Sequence, residues 1–100
     1  QDDSYVLWAG QAAKQAGACY INMNHIICDQ LNVIGEKITK GTLYRADDHT
    51  HTTLLGAQLN ARCVVMGLKA LAPALGLASF LSTTAEPVDP APADEVAAGK

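Results

Sequence analysis

Two histidines, two adjacent carboxylates and a run of threonines fall within Asp47-Asp48-His49-Thr50-His51-Thr52-Thr53, a polar turn between two apolar, helix-patterned stretches. The turn holds the only Asp-x-x-His pair in the chain, Asp48 and His51. Three residues apart on a turn, both side chains can reach the same side of the loop. The carboxylate then accepts from one ring nitrogen and fixes the tautomer, which leaves the other nitrogen free to take a proton from a nucleophile. A metal reading competes: His49 and His51, with Asp47 or Asp48, offer nitrogen and oxygen ligands, and His25 with Asp29 is the remaining source of a third. For His25 alone, a surface or packed histidine is the expectation.

The elements that must position this turn are legible from periodicity and caps. Ser4–Ala16 reads as a helix, with Ser4 as N-cap behind Asp2 and Asp3, a buried stripe of Tyr5, Trp8, Ala9, Ala12 and Ala16, and Gly17 as a left-handed stop. Ala18–Asn22 is short, apolar and continuous, which suits a strand covered on both faces in a parallel sheet. Asn24 is expected to cap a second helix reaching about Lys40, with Ile27, Leu31, Ile34 and Ile38 as its core stripe and Gly41 as its end. Gly35 inside that helix suggests close packing against a neighbour. Residues 42–53 form the loop that carries the polar turn. Thr52 or Thr53 then caps a third helix with Leu55, Leu59, Arg62, Cys63 and Met66 along one side, which Pro73 ends or kinks. Gly56 and Ala57 leave its first turn bare of bulk, so another backbone can approach there.

Bulk properties narrow the classes. At 49% apolar residues, a chain of 100 can bury one small core. Seven basic against ten acidic residues, without a basic cluster, exclude electrostatic tracking of a nucleic acid backbone. Residues 63–81 are apolar enough to raise a membrane span, but Lys69, Pro73 and the glycines argue against one. Cys19, Cys28 and Cys63 share no close spacing, so they read as buried small hydrophobes instead of a disulfide framework or a zinc knuckle. Residues 82–100 turn to Pro, Ala, Asp, Glu and Thr, a composition that predicts a disordered tail behind an ordered part over 1–81. Helix, strand, helix, loop, helix is the order at the end of an α/β sandwich whose other strands lie upstream.

The run Asp48-His49-Thr50-His51-Thr52, followed by Gly56-Ala57 and Gln58-Leu59-Asn60-Ala61, resembles the last conserved block of the SGNH (GDSL-type) hydrolases. It is most similar to the branch that includes rhamnogalacturonan acetylesterases. Gly17-Ala18-Cys19-Tyr20-Ile21-Asn22, entered from a helix ending Ala-Lys-Gln-Ala-Gly, resembles the last core strand of that family. The likeness covers Tyr5 to Leu71.

The resemblance implies a three-layer α/β/α sandwich with a parallel sheet, of which this chain is the C-terminal portion, mostly helical with one short strand. It implies a serine esterase that removes acetyl groups from a rhamnogalacturonan- or pectin-like carbohydrate through an acyl-enzyme, exported to the periplasm or cell exterior and needing no cofactor. His51 is then the general base and Asp48 the residue that orients it; His49 lines the site and Asp47 has no carried-over role. The family's Gly-Asp-Ser nucleophile block and its Gly and Asn oxyanion blocks are not in this sequence, and Ser4, Ser79 and Ser82 have the wrong surroundings. The chain so read carries half a triad, is inactive alone, and has the N-terminal half of its own domain as partner, with neither nucleic acid nor membrane involved. The alternative is a small helical binding module that docks by its apolar helices.

Overall fold

The computed structural model describes residues 3–48 and 50–99, side chains at 72–75, 77 and 78 excepted. The order is α1 (Ser4–Ala16), β1 (Tyr20–Ile21), α2 (Met23–Ile34), α3 (Glu36–Ile38), a wide turn over Thr39–Leu43, α4 (Leu54–Leu75), short 3-10 turns at Leu77–Phe80, Thr83–Ala85 and Ala93–Glu95, and β2 (Val96–Ala97). The chain is therefore mostly helical with one two-stranded sheet, antiparallel, pairing Tyr20 with Ala97 and Ile21 with Val96. A parallel sheet covered on both faces is not found among the described residues.

α1 runs over the predicted residues and stops at Gly17, whose φ of 71° is left-handed and whose N–H reaches back to Ala13 and Lys14. Two details differ. The N-cap is Asp3, without a side-chain bond, so Ser4 is already helical; Asp2 lies outside the described residues. The helix is also turned the other way about its axis. Val6, Gly10 and Ala13 face the body, where the Tyr20 ring lies along Gly10 and its hydroxyl donates to Val6 O, while Tyr5 and Trp8 stand 76% and 57% exposed. The expected buried stripe thus faces solvent, with Tyr5 and Trp8 packed edge to face on each other.

α2 begins two residues earlier than an Asn24 cap requires, because Asn22 Oδ1 accepts from the His25 amide at 3.1 Å. It ends at Ile34, not near Lys40. Gly35 adopts φ 94° and ψ 155°, a region open in practice to glycine alone, and nothing crowds the place of its missing side chain. Its role is the break itself, not close packing. Gly41, φ 86°, lies inside the wide turn and does not end α2, whose stop is Gly35. The α2 residue that reaches the core is Ile26, whereas Ile27, Leu31 and Ile34 are half-buried and Ile38 is exposed.

α4 is capped by Thr53, whose Oγ1 accepts from the Gly56 amide at 3.2 Å. It continues two residues past Pro73, and Gly76, φ 64°, supplies the stop that Pro73 was expected to give. No helix among the described residues is long and apolar enough to cross a membrane. The inward face of α4 is Gly56, Cys63, Gly67 and Leu71, while Leu55 and Arg62 point outward. Cys63 is fully buried with Ile26 and Ala91, and burial pushes its thiol up; Cys19 is exposed and Cys28 half-buried, so the reading as buried hydrophobes holds for Cys63 alone.

Residues 82–100, a disordered tail by composition, are laid along the body here through residue 99. Ala91 N–H donates to Met66 O at 2.9 Å, Glu95 O accepts from Asn22 N–H at 2.8 Å, and Ala85 and Ala91 are buried. With extents of 42 × 35 × 19 Å the molecule is a slab about two helix diameters thick.

A Cβ on Gly56 would overlap the Leu43 carbonyl, a backbone group without rotameric freedom. Gly56→Ala is therefore expected to destabilise the chain by about 1–3 kcal/mol through overpacking. Urea denaturation checks this, together with loss of the hydrogen bond from Thr53 N–H to Leu43 O by amide exchange.

Candidate functional site

The polar turn is the tip of a small antiparallel ladder. Thr53 N–H donates to Leu43 O at 2.9 Å, Tyr44 faces Thr52 across a bridge, and Arg45 N–H donates to His51 O at 3.0 Å. Thr53 ties this ladder to α4, since its hydroxyl reaches the carbonyls of Thr42 and Leu43 while accepting the Gly56 amide. Residues 45–51 are thereby closed into a short loop at the helix N-terminus.

Inside the loop Asp48 is the organising group. Its Oδ1 accepts from the amides of His51 at 2.7 Å and Thr50 at 2.8 Å, an Asx-type turn in which the side chain stands in for a backbone carbonyl. Its Oδ2 lies 2.9 Å from His51 Nδ1. These partners, the His51 amide foremost, then the Thr50 amide and the imidazole, hold the carboxyl down at about 2. At neutral pH Asp48 is an acceptor only, so the shared proton belongs to His51 Nδ1, and Nε2 of the neutral ring carries the lone pair. The His51 side chain is 71% exposed, and no described residue engages Nε2.

The pair predicted from spacing is thus assembled. The other candidates are placed differently. Asp47 ion-pairs with Arg45 at 3.2 Å on the surface, a contact worth little. His49 lies outside the described residues, and with it both its expected place lining the site and its share of a metal site. His25 does not join Asp29 to complete a ligand set; it sits between Asp3 and Glu95, at 3.6 and 3.5 Å. Among the described residues no three His, Cys, Asp or Glu converge as a metal site would require.

Beside Asp48 opens a cleft of about 600 Å³, within the usual size of ligand sites. Leu31 forms its apolar floor, and Glu36, Lys40, Tyr44, Arg45 and Asp47 supply polar groups of both signs and one aromatic ring. Sequence reasoning passed over Glu36, Lys40, Tyr44 and Arg45. For Tyr44 and Arg45 the signal was adjacency to the turn; for Glu36 and Lys40 there was none, because the break at Gly35 is what swings them to this side. No family model matches the chain, and neither a curated protein nor a solved structure is significantly similar to it.

Because the Asp48 carboxyl sits at about 2 against an ordinary 3.8, its contribution to holding the loop is fully present above about pH 4 and is lost as pH falls through 2. Carboxyl-carbon NMR is expected to show a midpoint near 2 for Asp48. In Asp48→Asn the loop acceptor remains but the preference for Nδ1–H disappears, and the ring nitrogen spectrum is expected to move toward the Nε2–H tautomer.

Proposed function

We propose that this chain supplies the Asp-His half of a serine esterase triad, as the C-terminal part of an SGNH-type hydrolase acting on an acetylated carbohydrate of the rhamnogalacturonan or pectin kind. The observation that carries the reading is the 2.9 Å contact between Asp48 Oδ2 and His51 Nδ1, with the carboxylate pinned by two amides and Nε2 left open. In this reading a serine hydroxyl from outside these hundred residues lies against Nε2. His51 takes its proton as the oxygen attacks the acetyl carbonyl, then returns it to the departing sugar hydroxyl. Asp48 stays ionised throughout and steadies the imidazolium. Water then repeats the cycle on the acyl-enzyme, with His51 again as base.

Two features support the assignment of substrate and fold. The cleft beside Asp48, which Asp48 lines and His51 does not, combines a tyrosine ring with charged groups of both signs, a lining suited to a polyhydroxylated ring. The slab exposes Tyr5, Leu7 and Trp8 on one broad face of α1, apolar surface that a further layer of an α/β/α sandwich would cover. Of the serines, Ser79 bonds its own turn at Gly76 O and Ser82 pairs with Thr84, so both hydroxyls are spent locally.

A second reading is a non-catalytic helical module that docks through that same α1 face. Light scattering separates the two: a partner-free, monodisperse monomer with a cooperative melt favours the second, provided the tests below fail.

In the polypeptide that joins this chain to its nucleophile, His51→Ala is expected to lower kcat on acetylated pectic oligosaccharide by about 10⁴–10⁶-fold, and Asp48→Ala by about 10⁴-fold or less. Acetate release measured on parent and both variants decides it; equal rates in all three would end the proposal.

A further inference from the structure

The segment after α4 meets the body through one side chain above all. Lys69 Nζ donates to the carbonyls of Ala85 at 2.6 Å, Glu86 at 3.0 Å and Val88 at 2.6 Å. An ammonium has three protons and these contacts use all of them. The acceptors are neutral carbonyls of a single turn, and among the described residues no carboxylate forms an ion pair with Nζ. The turn is thus wrapped around a cation rooted in the middle of α4.

Beyond that clasp the segment carries little apolar weight of its own. Ala91 is its only side chain in the central cluster, where it closes over Ile26 and Cys63, with its amide on Met66 O. The remaining ties are the short pairing of β2 with β1, the Glu95 carbonyl on the Asn22 amide, the Glu95 carboxylate 3.5 Å from His25 Nδ1, and the Cys19 thiol on Ala98 O at 2.7 Å. The packing of α2 on α4, through Ile26, Ile27, Leu59, Cys63 and Met66, does not pass through the segment. Its removal leaves that packing in place but takes one wall from Cys63.

We propose that residues 86–98 are a detachable strap, clasped by Lys69, whose release uncovers Cys63 and the Tyr20–Ile21 strand edge while α2 and α4 stay packed. Locally cooperative opening of this kind is drawn from segments with few buried apolar contacts and many single hydrogen bonds. Loss of the ammonium takes the protein donor from Glu86 O and Val88 O at once and leaves Ala85 O only the Val88 amide, so the clasp opens as a unit. The edge then presented has free backbone groups able to accept an added strand.

The test uses the full chain carrying Cys19→Ser and Cys28→Ser, so that Cys63 is the one thiol, with a neutral maleimide as probe. The parent is expected to label slowly and the Lys69→Gln variant at least about tenfold faster, with helical circular dichroism retained. Equal rates, or a parent whose Cys63 labels as fast as in urea, overturn the strap. Should Lys69→Gln fail to fold, hydrogen exchange on the parent decides. The Asn22 and Ala91 amides must then open together and more readily than those in the centre of α4, and a single common opening refutes the proposal.

Discussion

The Leu43 carbonyl lying against Gly56 is the constraint from which the site follows. Only a helix turn without a side chain lets the 43–45 segment press onto α4, and only that contact brings Thr53 within reach of Thr42, Leu43 and the Gly56 amide together. The ladder so anchored fixes both ends of the loop. Asp48 then needs no tertiary partner to find His51, because the loop is too short to hold its side chain anywhere but over the two amides. The site is built outward from a backbone contact, and the Asp48–His51 pair is its last consequence.

That origin explains why the pair is both well ordered in geometry and open to solvent. Its restraints are local hydrogen bonds, so it assembles without a buried core around it. In the proposed role His51 has its orientation settled and its dielectric surroundings unsettled; the oxyanion donors and water exclusion that the proposed reaction requires would come from groups that close over Nε2. The depressed Asp48 carboxyl is in keeping with this, since its causes are amide donors and the imidazole, not burial.

Much of this was legible in the sequence, and the misses share a cause. Asp48-x-x-His51, the bare turn at Gly56 and Ala57, the stop at Gly17 and a cap at Thr52 or Thr53 are local signals, each read from residue type and spacing, and the geometry has the pair, the close approach at Gly56, the stop and a cap at Thr53. The direction in which α1 faces was not local. Its stripe of Tyr5, Trp8, Ala9, Ala12 and Ala16 is a sound amphipathic pattern, but the alternative face of Val6, Gly10 and Ala13 is the one that accepts the Tyr20 ring, and periodicity does not choose between a large apolar face and a small one that fits. Gly35 was misread because a glycine required for its φ and a glycine required for its size look the same in a sequence. Pro73 is expected to end or kink α4; the helix runs on to Leu75, and the positive φ of Gly76 is what ends it.

The exposed α1 face and the laid-down C-terminal segment are two answers to one shortage. A slab 19 Å thick buries few large side chains, and those buried among the described residues are Ile26, Leu43, Cys63 and Leu71 with two alanines from the C-terminal segment. Alanine contributes little apolar area, so on that side the closure rests on polar contacts, chiefly those of Lys69. On the α1 side Tyr5, Leu7 and Trp8 are exposed. If the esterase proposal is right, both faces find a better solution in a larger sheet: β1 gains a parallel neighbour along its edge, and α1 a layer to pack on. The same strand edge cannot serve β2 and an added strand together on one side, so the strap and the completed sandwich compete wherever they meet the Tyr20–Ile21 backbone.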